Sequence, residues 1–198
     1  MRKKIKIKFL KIEKGSFKYI NNKRIIEIIK TVFMFSCAIF LYLFGYITLK
    51  TNKNFFTVFA VLSVLPAAKS AVSMIMFLRF SSIDEEDYKK IKEASGNAIT
   101  KYEYVFTTSE RAFFVKAISI LNNTIICLYA PKKKDFSKEL KEHIVTCLER
   151  EGYKSYSVKV YISTEDYIKR LTEMNEKLSG DETDSSNNVF SLFNAVSI

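Results

Sequence analysis

His143 is the single histidine of this chain, and Cys37, Cys127 and Cys147 are its only cysteines. Metal binding and nucleophilic catalysis need such groups in converging sets, and no His, Cys or carboxylate pair near His143 stands at a ligand spacing. His143 instead falls at the border of an apolar helical stripe, where a half-buried structural histidine is expected. Lys132, Lys133 and Lys134 form a basic turn ahead of a helix N-terminus. A helix start can receive a phosphate, so these three are the candidate anion-binding residues, although lysines in a turn are ordinarily just solvated. No Gly-rich phosphate loop, nucleophile elbow or CxxC pair is present. The expectation is therefore no catalytic residue, no metal site and no cofactor.

Lys69 is harder to explain. It lies in an apolar run, Phe55 to Leu78, interrupted only by itself and Pro66. A first run, Thr31 to Leu49, contains no charge at all, and a polar linker of Lys50, Thr51, Asn52 and Lys53 follows it. Nineteen helical residues span roughly 28 Å, close to a bilayer's hydrocarbon thickness. Two such runs predict a transmembrane hairpin (residues 25–80) with both chain ends on one side. A signal peptide has a shorter apolar core and a small-residue cleavage site, and no mature secreted domain would begin with another span. Lys69 is ten residues before Arg79, so a continuous helix places it ~15 Å inside the membrane boundary. No Asp or Glu occurs between Thr31 and Phe80, and a lysine at that depth costs about 3 kcal/mol on insertion scales. It can snorkel to the headgroups, sit neutral, approach Tyr42 of a neighbouring hairpin, or meet an acid on another protein. Ser63, Ala67 and Ala71 form a small-residue ridge beside the polar strip Lys69, Ser70 and Ser73. These six are the candidate association surface, for self-association or for a membrane protein partner.

Charge sets the orientation. Residues 1–30 carry 11 basic residues and 2 glutamates, residues 31–80 carry 4 basic residues and no acid, and residues 81–198 carry 17 basic against 19 acidic. The overall +11 is thus concentrated at the membrane segments, where it favours the cytoplasmic side and anionic inner-leaflet lipid. A multi-pass protein of the inner (plasma) membrane with cytoplasmic termini is expected, and nucleic acid is not the expected partner of the nearly neutral remainder. Cysteine placement implies no disulfide framework, and the richness in Lys, Ile, Asn and Phe points to an AT-rich bacterial genome.

Along the chain, residues 1–24 read as a basic arm. Residues 3–12 alternate cationic and apolar side chains as a strand would, and Ser16 to Ile20 reads as a second extended run. Asn22 is the expected cap of the first helix. Ser36, Cys37, Ala38 and Gly45 permit close helix approach, with Cys37 and Gly45 on one face. A juxtamembrane helix (81–98) opens on the capping box Ser82–Glu85 and stops at Gly96. From Ile99, strands are expected, with Tyr102, Tyr104 and Phe106 sharing one face. Ala112–Leu121 is apolar on both faces apart from Lys116 and Ser119. An Asn122-Asn123 turn leads into Thr124–Ala130. Then come a helix from Asp135 with Phe136, Leu140, Ile144, Cys147 and Leu148 inward, a strand Ser155–Ile162, and a helix from Ser163. The core is expected to include Phe106, Val115, Ile118, Ile126, Leu128, Leu140, Ile144, Leu148, Val158 and Val160. Residues 180–198 read as a disordered tail.

The fold class is then α/β (α+β), order α-β-β-β-α-β-α, with its α/β domain at 99–179 behind the hairpin. That order is similar to the core of restriction-endonuclease-like nucleases of the PD-(D/E)xK type. The resemblance implies an acid and a lysine two residues apart on the third strand. That strand reads Ile126-Cys127-Leu128-Tyr129, and Lys116 stands on the preceding strand where an acid is implied. The family's active site is therefore absent. The reading is a two-span membrane protein whose cytoplasmic domain is a non-catalytic binding or regulatory module. The alternatives are an accessory subunit that assembles through the hairpin, and a degenerate nuclease-like domain that binds nucleic acid or nucleotide at the membrane.

Overall fold

The computed structural model describes residues 13–51, 53–108, 110–131, 134–177 and 183–198. The alternating segment 3–12, Lys132 and Lys133 lie outside the described residues. Ile20–Ser81 forms one compact unit, and the chain before and after it forms a second.

The first unit is a helical hairpin of α1 (Tyr19–Leu49) and α2 (Phe55–Leu78). α1 begins before Asn22, so that residue lies inside the helix rather than capping it. The turn between the helices is built around Asn54. Its Oδ1 accepts from the Thr57 N–H at 2.8 Å, capping α2, while its Nδ2 donates to the carbonyls of Thr51 and Gly45. A Cβ on Gly45 would stand 2.5 Å from the Phe56 Cβ, so the close approach there requires glycine. Thr31, Ala38 and Gly45 on α1 and Ala60, Ala67 and Ser70 on α2 are buried, at seven-residue steps for the most part. This is the small-residue seam that allows tight helix pairing. The face expected for Cys37 is occupied by Ala38, seven residues from Gly45, and Cys37 is exposed. α2 runs unbroken through Pro66.

The second unit carries α3 (Glu85–Ala94), β1 (Ile99–Thr107), β2 (Ala112–Leu121), β3 (Thr124–Tyr129), α4 (Ser137–Arg150), β4 (Ser157–Tyr161), α5 (Thr164–Lys177) and α6 (Thr183–Val196). Its β-branched and aromatic runs make one mixed sheet in the order β1-β2-β3-β4. The first two pairings are antiparallel, and β3 and β4 are parallel across the α4 crossover. Asn122, with φ 49°, makes the turn between Leu121 and its partner Thr124. Ile125, Cys127 and Tyr129 face one core with α4 and α6, while Ile126 and Leu128 face another with α3 and α5. Nine of the ten expected core residues are buried, and Val160 is half-buried on the outer strand.

Three expectations are corrected. Ser16–Lys18 form a turn rather than an extended run, because Gly15 takes φ 85° and Tyr19 already starts α1. Residues 183–196 are a helix rather than a disordered tail, and Val189, Phe190 and Phe193 are fully buried in the α4-side core. Tyr102 also lies in the opposite core from Tyr104 and Phe106. Glu103 between them adopts φ 59°, and β2 shifts register between Val115 and Ala117, so the two strands bulge together and the alternation flips.

Candidate functional site

In the hairpin, the six candidate association residues do not share one surface. Ala67 and Ser70 are buried in the seam, Ser63, Ala71 and Ser73 are half-buried, and Lys69 is exposed. Thr31 Oγ1 and Ser70 Oγ are both buried with no hydrogen-bond partner among the described residues. One turn before Thr31 on α1, Glu27 is 5 % exposed and sits 3.5 Å from both Lys23 Nζ and Lys30 Nζ. Of the 24 large apolar side chains exposed among the described residues, 23 belong to α1 and α2, Ile162 being the exception. Both helices are long and apolar enough to cross a membrane.

In the α/β unit, the best-built polar site centres on Glu103. Its carboxylate is 1 % exposed and accepts from the Lys18 N–H at 3.1 Å, the Ile83 N–H at 3.2 Å and the Ser82 hydroxyl at 3.1 Å. A non-glycine residue at positive φ inside a strand costs of order 1–3 kcal/mol and persists only when its surroundings enforce it. Here the enforcement comes from segments on both sides of the hairpin in sequence. The expected capping box is not formed, because Ser82 donates to Glu103 instead and Asp84 makes no side-chain cap bond. Opposite Glu103 on β2, Lys116 pairs with Asp87 Oδ2 at 3.2 Å, and Thr164 donates to the same oxygen. Ser119, the other polar residue of β2, is fully buried in a chain of hydroxyls running Tyr167, Ser119, Thr100, Ser95 at 2.6–3.1 Å. Burial pushes the Tyr167 hydroxyl well above its ordinary range, so it serves there as a neutral donor or acceptor.

His143 is half-buried, with its Nε2 3.8 Å from Cys147 Sγ and its ring edge-on to Phe106. Desolvation, aided by Arg150, lowers the imidazole's affinity for a proton, and burial raises that of the Cys147 thiol. A neutral imidazole beside a protonated thiol is not an activated pair. Cys127 is fully buried and pushed up to about 12. Among the described residues, no group of three His, Cys, Asp or Glu side chains could hold a metal ion. Lys134 is exposed, and Asp135 Oδ1 accepts the Ser137 N–H at the helix start that an anion would use. An open groove of about 300 Å³ runs nearby, lined by Ser137, Lys138, Lys141 and Val158 to Tyr161. β3 carries no acid and no lysine, so the implied nuclease pair is missing from its strand.

Sequence reasoning passed over Glu103, because an acid in an alternating strand ordinarily points to solvent. β1 also carries Lys101, so a charge on that strand gave no signal that singled out Glu103. No family model matches the chain, and no curated protein and no solved structure matches it.

Proposed function

We propose that this chain is a two-span integral protein of the inner (plasma) membrane, and that its α/β unit is a non-catalytic binding or regulatory module in the cytoplasm. The observation that carries the reading is the placement of 23 of 24 exposed large apolar side chains on α1 and α2. Apolar surface on that scale is unsuited to water and suited to acyl chains. Eleven basic residues up to Lys30, ahead of the apolar run from Thr31, against Lys50 and Lys53 in the turn favour cytoplasmic termini and contact with anionic headgroups. The absence of an acid and lysine pair from β3 and the near-neutral charge of residues 81–198 weigh against a nuclease-like or nucleic-acid-binding role. The exposed Lys69 favours one further reading, an accessory subunit assembled through the hairpin. The test is membrane fractionation of the full chain. It should stay in the pellet through alkaline carbonate washing and be released by detergent, and recovery in the carbonate supernatant would sink the proposal.

A further inference from the structure

We infer that the outward face of α2 around Lys69 docks a transmembrane helix of another protein that carries an aspartate or glutamate near the bilayer midplane. The inference rests on the membrane-spanning reading above. The seam of the hairpin is closed by Ala38, Thr31, Ala67 and Ser70, and Lys69 points away from it. Leu65 and Pro66, one turn before Lys69, are exposed, and Val72, one turn after, is exposed as well. This flanks Lys69 with apolar side chains. Among the described residues its ammonium has neither a hydrogen bond nor an ion pair, and its backbone carbonyl accepts from the Ser73 hydroxyl.

A second copy of the hairpin cannot supply the missing charge. From Ile28 to Ile83 the chain holds no Asp or Glu, and Glu27 is buried and already held between Lys23 and Lys30. A carboxylate at matching depth on a different helix is the complement that this face lacks. Intramembrane cations characteristically pair with such groups.

The test uses the full chain reconstituted in phosphatidylcholine vesicles with a labelled synthetic transmembrane helix of leucine and alanine. The helix is made in two forms, with a central Asp or a central Leu, and association is read by energy transfer. The wild type should prefer the Asp helix by about tenfold, as a buried polar contact in lipid allows. Lys69→Leu should abolish the preference and Lys69→Arg should keep it. Equal association of the two helices with the wild type, or an undiminished preference in Lys69→Leu, overturns the inference and leaves Lys69 snorkelling to lipid phosphate. The same vesicles are washed with carbonate. A chain stripped by the wash overturns the spanning reading and the inference with it. A chain that stays yet shows no Asp preference overturns the inference alone.

Discussion

Glu103 joins three parts of the α/β unit at one carboxylate: the turn at Lys18, the segment at Ser82 and Ile83, and β1 itself. These three bonds come from two backbone N–H groups and a hydroxyl, whose dipoles offset part of the cost of burying a carboxylate. Removing such an acceptor leaves the buried Ile83 N–H and the part-buried Lys18 N–H without it, and bonds to charged groups contribute about 1.5–3 kcal/mol each. Glu103→Ala should therefore lower stability by roughly 3 kcal/mol, seen as a shift in the denaturant midpoint of the full chain in detergent. Glu103→Gly, which adopts positive φ without strain, should lose less. Equal losses would show that the backbone conformation stores no strain. His143 gives a pH prediction. Its burial lowers the folded-state pKa below that of the unfolded chain, so the unfolded state binds more protons as acid is added. The stabilisation is present above the free histidine range and declines as pH falls through it towards the lowered value. The midpoint should drop between pH 7.5 and 5.5 by more in the wild type than in His143→Gln, and parallel slopes would rule the histidine out.

At the level of elements, α6 is the clearest case of structure hidden from sequence. Its first half, Thr183 to Asn188, is polar and poor in helix formers, so the segment reads as a tail. What orders it is the apolar sheet face beside α4, which receives Val189, Phe190 and Phe193. Lys14 Nζ also donates to the carbonyls of Asn194 and Ser197 at the helix end, and Ile198 N–H donates to Val105. That need for a cover comes from the whole sheet and has no local signature. Phe190→Ala should cost about 3–5 kcal/mol and make 183–198 sensitive to protease, whereas an unchanged midpoint would mean that α6 does not close the core. The paired bulges at Glu103 and Lys116 were hidden for a similar reason, since period-two reasoning assumes an unbroken pleat. By contrast α4 and the β2–β3 turn were legible. Leu140, Ile144 and Leu148 repeat at helical spacing, and Asn122 tolerates the left-handed backbone of a two-residue turn.

At the scale of the whole molecule, hydropathy reads off α1 and α2 because their length and the exclusion of charge mark helices long and apolar enough to cross a membrane. The candidate site was less legible. Which face of α2 turns inward depends on the pairing of Ala67 and Ser70 with α1, and the sequence could not separate that seam from Lys69. In the topology proposed above, α1 and α2 cross a membrane and return the α/β unit to the side of the N-terminus. Single cysteines placed in intact cells test it most directly, in a background with Cys37, Cys127 and Cys147 replaced. A membrane-impermeant maleimide should label a cysteine at Thr51, in the turn between the helices. It should leave one at Ser155, exposed on the α/β unit, untouched until the cells are opened. Labelling at Ser155 in intact cells, with Thr51 protected, would overturn that topology.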